Sequence, residues 1–204
     1  MMIKLFIISF WAFASFVRSA DAGDERAQRG YPKQGLGFAA GAISGIGLSY
    51  KHYLDDRYVT QGTFGLRKTQ SEFDVDAGFV LQRTLHTTLL SGKSLEIGGL
   101  SLRTRFYGVT GLGYFRERNE WKEYDYGRPE PQLLVIHREV RTTYHTGLGI
   151  GMEFIIFQRV GIAIDGAYTF SFKSVNMTAY PRYNNGEEGL EIQFLPQIAA
   201  HYYF

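Results

Sequence analysis

Cysteine is absent from this sequence, and several other features are scarce. The chain of 204 residues has no Cys, only five Pro and a net charge of +2 at pH 7. Without Cys, the protein can form no disulfide, no thiol nucleophile and no cysteine-ligated metal site. So small a net charge gives no support for a nucleic-acid partner, and none is expected. After the first twenty or so residues, no apolar run is long enough for a transmembrane helix.

The N-terminal residues predict an export signal. Lys4 supplies a positive charge, the apolar run LFIISFWAFASFV follows, and Ala20-Asp21-Ala22 fits a small-x-small cleavage site. The apolar run is too short to span a bilayer comfortably, so a retained membrane anchor is the less favoured alternative. We predict a signal peptide over residues 1–22, cleaved after Ala22 or alternatively after Ala20. Residues 23–33 are polar and are predicted to form a flexible leader before a folded domain at 34–204.

Aromatic residues and glycine are abundant, at 16% and 24 residues, and they occur in an alternating pattern. In residues 160–172 (VGIAIDGAYTFSF), apolar and aromatic side chains take the even positions, apart from Gly166, and small or polar side chains take the odd positions. This period of two indicates β-strands, and no stretch shows convincing helical periodicity. We predict eight strands, at 35–43, 45–54, 57–69, 73–87, 101–121, 134–156, 160–172 and 189–204.

The segments between the predicted strands differ in length. Tight turns are predicted at Ser44-Gly45, Asp55-Asp56 and Gln158-Arg159. Longer connections are predicted at 88–100, 122–133 and 173–188, because these segments are rich in turn-forming or polar residues.

The character of the two strand faces favours a membrane barrel over a soluble sandwich. In a sandwich the face that meets water is strongly charged, whereas the second face here is mostly Gly, Ser, Thr and Ala. Small residues suit the narrow interior of a barrel, and the predicted strands are long enough to cross a bilayer. We therefore predict an all-β fold, a closed antiparallel eight-stranded transmembrane β-barrel. The alternative is a secreted soluble β-protein such as a lipocalin-like module.

The last residues, QIAAHYYF, carry a family resemblance. Ile198, Tyr202 and Phe204 share one face of an alternating strand that ends in an aromatic residue. This resembles the C-terminal assembly signal of bacterial outer-membrane proteins, and residues 34–204 resemble the small eight-stranded barrels of the OmpA/OmpW type. The resemblance implies a monomer in the outer membrane, with lipid and the barrel-assembly machinery as partners. It implies no single function, because this fold hosts pores, adhesins, structural anchors and a few lipid-modifying enzymes.

Asp165 is the one acid in the run 160–172, and it needs water or a partner because an unpaired buried charge is costly. Glu153 lies across the predicted turn on the same face. If the even residues of 101–121 face outward, Arg105 faces inward at a similar height, and Lys51 reaches that height from the second strand. We predict a cluster of these charged side chains inside the barrel: Lys51, Arg105, Glu153 and Asp165.

The interior cluster has two interpretations. The favoured one is a structural ion network that fills the barrel, because buried charges are usually paired for satisfaction alone. The sharper hypothesis is a gate, in which a change of ion-pair partners opens a narrow path. Four further polar residues are predicted to line the upper part of the interior: Arg67, Asp76, Arg141 and His145.

Aromatic residues in two polar segments, 116–140 and 176–189, predict a second kind of site. Tyr-, Asn- and Gly-rich loops suit adaptable binding surfaces, and the alternative is an interfacial girdle or a cover over the barrel mouth. Segment 116–140 is also predicted to form a hairpin that continues beyond the membrane. The residues predicted to contact an extracellular ligand are Trp121, Tyr124, Tyr126, Tyr180 and Tyr183.

The five histidines give little support for catalysis or metal binding. None has a serine at the offset used by lipid-modifying barrels, and none shows a paired ligand spacing. We expect no enzyme activity, no metal and no cofactor. The sequence thus predicts a non-enzymatic structural barrel, with narrow gated-pore activity as its extension and a surface binding module as the alternative.

Overall fold

The computed structural model describes residues 33–69, 71–90, 102–125, 132–180 and 183–204. The predicted signal peptide, and the leader up to residue 32, lie outside these ranges. The described residues form eight strands: β1 (Gln34–Gly41), β2 (Gly45–Tyr53), β3 (Tyr58–Lys68), β4 (Glu72–Leu90), β5 (Leu102–Asp125), β6 (Gln132–Ile156), β7 (Val160–Tyr180) and β8 (Tyr183–Tyr203). Among these residues, no helix is long and apolar enough to cross a bilayer.

Each strand pairs antiparallel with the next, and β8 pairs with β1, so the sheet closes into a barrel. The predicted all-β class and the closed ring of eight antiparallel strands are confirmed. Following paired residues once around the ring, a path that starts at Glu191 on β8 returns to β8 at His201. This stagger means that the strands are tilted relative to the barrel axis.

The two faces of the strands differ as the alternation predicts. Large apolar side chains such as Phe38, Phe79 and Ile150 are exposed on the outer surface, the last at 71%. Arg105 is fully buried while its neighbour Phe106 is exposed, which settles the facing of β5. The core is therefore the barrel interior, and much of it is polar: Ser49, Lys51, Gln61, Gln82, Arg105, Glu153, Gln197 and His201.

The four C-terminal strands are much longer than predicted. β5 and β6 stay paired up to Asp125 and Gln132, and β7 and β8 up to Ala179 and Tyr183. The predicted connections at 122–133 and 173–188 are therefore wrong, because most of these residues extend two hairpins. The link after β4 covers residues 91–101, which lie outside the described ranges.

The β1–β2 connection bends into the barrel. It comprises Ala42–Ser44, which we call the inward turn, and it begins earlier than the predicted Ser44-Gly45 turn. Ile43 is fully buried. The backbone N–H of Ser44 donates to Oε1 of Gln197 at 3.0 Å. Gly45, with φ of 78°, allows the chain to leave the turn into β2.

Candidate functional site

Glu153 on β6 lies at the centre of the buried interior and pairs with two cations. Its Oε1 is 2.7 Å from Nζ of Lys51 on β2. Its Oε2 is 3.0 Å from Nε and 2.8 Å from a terminal nitrogen of Arg105 on β5. All three side chains have no solvent exposure. Burial strengthens such an ion pair but requires every charge in it to be compensated.

Two tyrosines complete the surroundings of Glu153. The hydroxyl of Tyr53 donates to Oε2 at 3.2 Å, and the hydroxyl of Tyr203 donates to Oε1. The two phenol oxygens lie 3.5 Å apart, and the rings meet edge to face. One carboxylate therefore receives hydrogen bonds from two cations and two phenols, which engages both of its oxygens.

Arg105 contacts the barrel wall on its other side as well. It donates to Oε1 of Gln82 and, at 3.4 Å, to the hydroxyl of Thr84. Its guanidinium carbon lies 4.5 Å from the ring centre of Tyr107 and 5.3 Å from that of Tyr53, which are cation–π distances. The guanidinium is thus fixed between β4, β5 and β6, with little freedom to swing away from Glu153.

The partner of Asp165 is Tyr107, whose hydroxyl donates to Oδ1 of the carboxylate. Tyr107, Gly151 and Asp165 lie in one register row across β5, β6 and β7. A Cβ on Gly151 would lie 2.7 Å from the Tyr107 ring, so glycine at this position lets the ring pass over β6. Asp165 pairs with Gly151 and Glu153 with Ala163, which makes the two acids diagonal neighbours.

The structure brings Lys51, Arg105 and Glu153 into direct contact, and Asp165 adjoins them through a phenol. Sequence reasoning missed Tyr53, Tyr107, Tyr203 and Gln82 as members of this cluster. Their signal was present in the sequence, because each lies at an inward-facing position of its strand.

The four residues predicted for the upper interior do not form one cluster. Arg67 pairs with Asp74 at 2.6 Å, and Arg141 lies 3.0 Å from Glu139. Nδ1 of His145 lies 2.8 Å from the hydroxyl of Ser171. Asp76 accepts a hydrogen bond from the backbone of Ile46 beside the inward turn. These contacts line the rim above the inward turn, which we call the vestibule.

The predicted recognition residues lie in strands instead of loops. Trp121 in β5 stacks on His137 of β6, with ring centres 5.2 Å apart, and Tyr124 is exposed in the same strand. Tyr126 lies outside the described residues. Tyr180 ends β7 and Tyr183 begins β8, and their side chains also lie outside the description.

Ion pairs support the projecting β5–β6 hairpin. His137 lies 3.0 Å from Glu123, and Arg138 lies 3.1 Å from Glu120. The hydrogen bond from the Arg138 guanidinium holds the pKa of the Glu120 carboxyl below its ordinary value. This pair is exposed, so it contributes to local order more than to overall stability.

The residues of the predicted assembly signal, Ile198, Tyr202 and Phe204, are all exposed on the outer surface. Within the described ranges, no three His, Asp or Glu side chains are grouped as a metal site. Models of known protein families and curated protein sequences give no match to this chain.

Proposed function

We propose that this protein is an exported monomeric barrel that spans the outer membrane with its strands and has a structural role. Large apolar side chains are exposed on every strand, for example Phe38 on β1, Leu48 on β2 and Phe64 on β3. So large an apolar surface is unstable in water and is removed from water in a bilayer. The resemblance to OmpA/OmpW-type barrels supports the same location, with lipid and the assembly machinery as partners.

The proposed role is structural because the interior is filled at two levels. At the lower level, the four donors on Glu153 tie together β2, β5, β6 and β8 across the barrel. At the upper level, the inward turn places Ile43 inside the barrel. The contacts of Glu153 carry this proposal, because they join five buried side chains from four strands at one level of the interior: Lys51, Tyr53, Arg105, Glu153 and Tyr203.

Single-channel recording of the refolded mature chain in planar bilayers tests the proposal. Wild type is expected to be silent for most of the recording, and Glu153→Ala is expected to show discrete steps. Asp165→Ala should have a smaller effect, because its partner is a neutral phenol. Glu120→Ala, outside the barrel, is the control. Discrete conductance steps in wild type that change in Glu153→Ala and Asp165→Ala would show that the protein is a gated pore. Frequent wild-type steps that neither variant alters would contradict a closed interior.

A surface binding role is the second candidate, favoured by the β5–β6 hairpin. The last β4–β5 pair is Glu72 with Asn119, and the Glu120 N–H still donates to the carbonyl of Ser71, so β5 beyond Glu120 pairs with β6 alone. Trp121, at 45% exposure, is held there by its stacking on His137. A rigid aromatic residue presents contact area at low entropic cost.

Shortening the hairpin tests this second role. Asn119 and Glu139 are paired, so replacing residues 120–138 by a two-residue turn joins the strands at matched positions and removes Trp121 together with His137. A binding module would then lose capture of an extracellular macromolecule while the barrel still folds. A purely structural barrel would be unaffected by the same change.

We propose that the protein has no enzymatic activity. The hydrogen bond between His145 and Ser171 is the nearest approach to a nucleophile and base in the vestibule. Ser171 is buried, and the neighbouring carboxylate of Glu191 is engaged by Lys173. Lipid hydrolysis that is abolished by His145→Gln would overturn this part of the proposal.

A further inference from the structure

Two oxygen atoms in the vestibule are buried without a hydrogen-bond partner among the described residues. They are Oδ1 of Asp74 on β4 and Oδ1 of Asn119 on β5. Asp74 is only 5% exposed, so solvent does not readily compensate its charge. A buried polar atom of this kind calls for an explanation, and a bound ion is one of the standard ones.

The hydrogen bonds of Asp74 and Asn119 show which of their side-chain oxygens has no partner. Arg67 binds Oδ2 of Asp74 through Nε at 2.7 Å, which leaves Oδ1. Nδ2 of Asn119 donates to Oε1 of Glu117 at 3.1 Å. Because a carboxylate can only accept, the amide must present its NH₂ to Glu117 and its oxygen to the other side.

The strand register places these groups together. Asp74 pairs directly with Glu117, and Asn119 pairs with Glu72, so Asp74 and Asn119 are diagonal neighbours on the inner face. Diagonal side chains on one face lie within reach of a shared ligand. Two acids directly opposite each other repel, and a cation between them would remove that repulsion.

The charge balance of this wall also favours a cation. Four carboxylates, of Glu72, Asp74, Glu117 and Glu139, face two guanidiniums, of Arg67 and Arg141. With Asp76, which also lies on β4 in the vestibule, the surplus is three negative charges, and one divalent cation neutralises two of them. The two atoms without a hydrogen-bond partner, Oδ1 of Asp74 and Oδ1 of Asn119, are both oxygens. Ca²⁺ is the common divalent ion that prefers oxygen ligands in flexible geometry.

We propose that the vestibule wall formed by β4 and β5 binds one Ca²⁺ ion through Oδ1 of Asp74 and Oδ1 of Asn119. Only one of these two side chains is a carboxylate, and no group of three His, Asp or Glu side chains encloses a metal within the described residues. Water therefore completes the coordination, and the dissociation constant falls in the weak range of extracellular calcium sites, about 0.1–1 mM. The site does not depend on whether the barrel conducts ions.

Calcium titration of the refolded full mature chain tests this site. Isothermal titration calorimetry with CaCl₂, against NaCl of equal ionic strength, is expected to show saturable binding of one ion. Asp74→Asn should raise the dissociation constant at least about tenfold, because it removes a charge and keeps the side-chain shape. Asn119→Asp should lower it about tenfold, since affinity rises with ligand charge.

Glu191→Gln is the matched control, because it removes a vestibule carboxylate on β8 that already contacts Lys173. The Ca²⁺ dissociation constant of this variant should equal that of wild type.

Trp121 lies two residues beyond Asn119 on the same face, so Tb³⁺ bound at this site should give tryptophan-sensitised luminescence. This luminescence should be lost when Ca²⁺ displaces the Tb³⁺ ion. Absence of saturable binding in wild type, or equal affinity in wild type and Asn119→Asp, would show that water alone satisfies the two oxygens and would overturn the proposal. Asn119→Asp keeps the test decisive if Asp74→Asn fails to fold.

Discussion

At the scale of single residues, Glu153 determines how the buried charges are balanced. Its donors come from β2, β5 and β8, so one carboxylate connects three other strands. Lys51 and Arg105 are both fully buried, and each depends on Glu153 for compensation. Without that carboxylate, two like charges would face each other in the interior. Removing one partner of a buried pair is costly for this reason, even where the intact pair adds little net stability.

Glu153→Gln is expected to lower the free energy of unfolding by about 3–5 kcal/mol. The amide keeps the shape of the side chain and removes the charge that holds the two cations. The measurement is urea unfolding of the refolded barrel in lipid vesicles, followed by tryptophan fluorescence and gel mobility. Glu120→Gln breaks an exposed pair and should leave the unfolding midpoint nearly unchanged. Equal midpoints for the two variants would contradict a buried, charge-balanced centre.

Tyr107→Phe tests the partner of Asp165. The substitution removes one hydroxyl and leaves Asp165 without the hydrogen bond that its position requires. The expected loss is about 1–3 kcal/mol, the cost of leaving a largely buried acceptor unsatisfied. Tyr168→Phe, which removes a hydroxyl from an exposed outer side chain, is the control and should change stability little. Unchanged stability in Tyr107→Phe would mean that water satisfies Asp165.

At the scale of elements, the inward turn depends on small residues in the facing strands. Ser44 lies against Gly78 on β4, Ala42 against Gly113 on β5, and the side chain of Ile43 against Gly147 on β6. A side chain at any of these glycines would meet the backbone or side chain of the turn. The glycines at inward-facing positions therefore leave room for a turn that fills the barrel.

Gly78→Ala is expected to displace the inward turn and to destabilise the barrel by about 1–3 kcal/mol, the usual cost of overpacking. Its Cβ would lie 2.6 Å from the backbone nitrogen of Gly45. Hydrogen exchange should report the displacement directly, because the Ser44 amide would lose its bond to Gln197 and exchange faster.

Gly62→Ala is the matched control, since nothing lies within 4 Å of a Cβ added there. It should leave both stability and Ser44 exchange unchanged. Accelerated Ser44 exchange in both variants would mean that the turn is loosely held irrespective of Gly78.

Comparison of β5 with the prediction shows what alternation can and cannot determine. A period of two assigns faces, so Lys51, Arg105 and Glu153 could be placed inside from the sequence. It does not assign register, and the Tyr107 partner of Asp165 follows only from the row that also contains Gly151. The described parts of 122–133 and 173–188 form strands that alternation does not predict, because strands that extend beyond a barrel carry polar residues at both odd and even positions.

At the scale of the whole molecule, the outer surface differs along its height. Large apolar side chains cover the barrel on all eight strands, whereas the outer face of β5 and β6 towards their shared hairpin carries exposed cations such as Arg116, Arg118 and Arg138. Soluble monomers rarely expose so continuous an apolar band, which supports the proposed location in a membrane. Charged residues are also exposed at the opposite end, where Asp55, Asp56 and Arg159 lie in short turns. An apolar band with charged residues beyond both of its edges is the surface expected of a barrel held at a fixed depth in a bilayer.

Two arginine substitutions on β6 test that depth. Ile150 and Thr142 lie on the same outer face, with Ile150 in the middle of the apolar band and Thr142 towards the end that carries Arg116 and Arg138. In phosphatidylcholine vesicles, Ile150→Arg should lower the free energy of unfolding by about 2–4 kcal/mol, and Thr142→Arg by about 0–1 kcal/mol. The difference arises because a charge at the bilayer centre loses its hydration, whereas one near the interface keeps it. Equal, small effects at both positions would show that this face meets water, and the barrel would then be a soluble one.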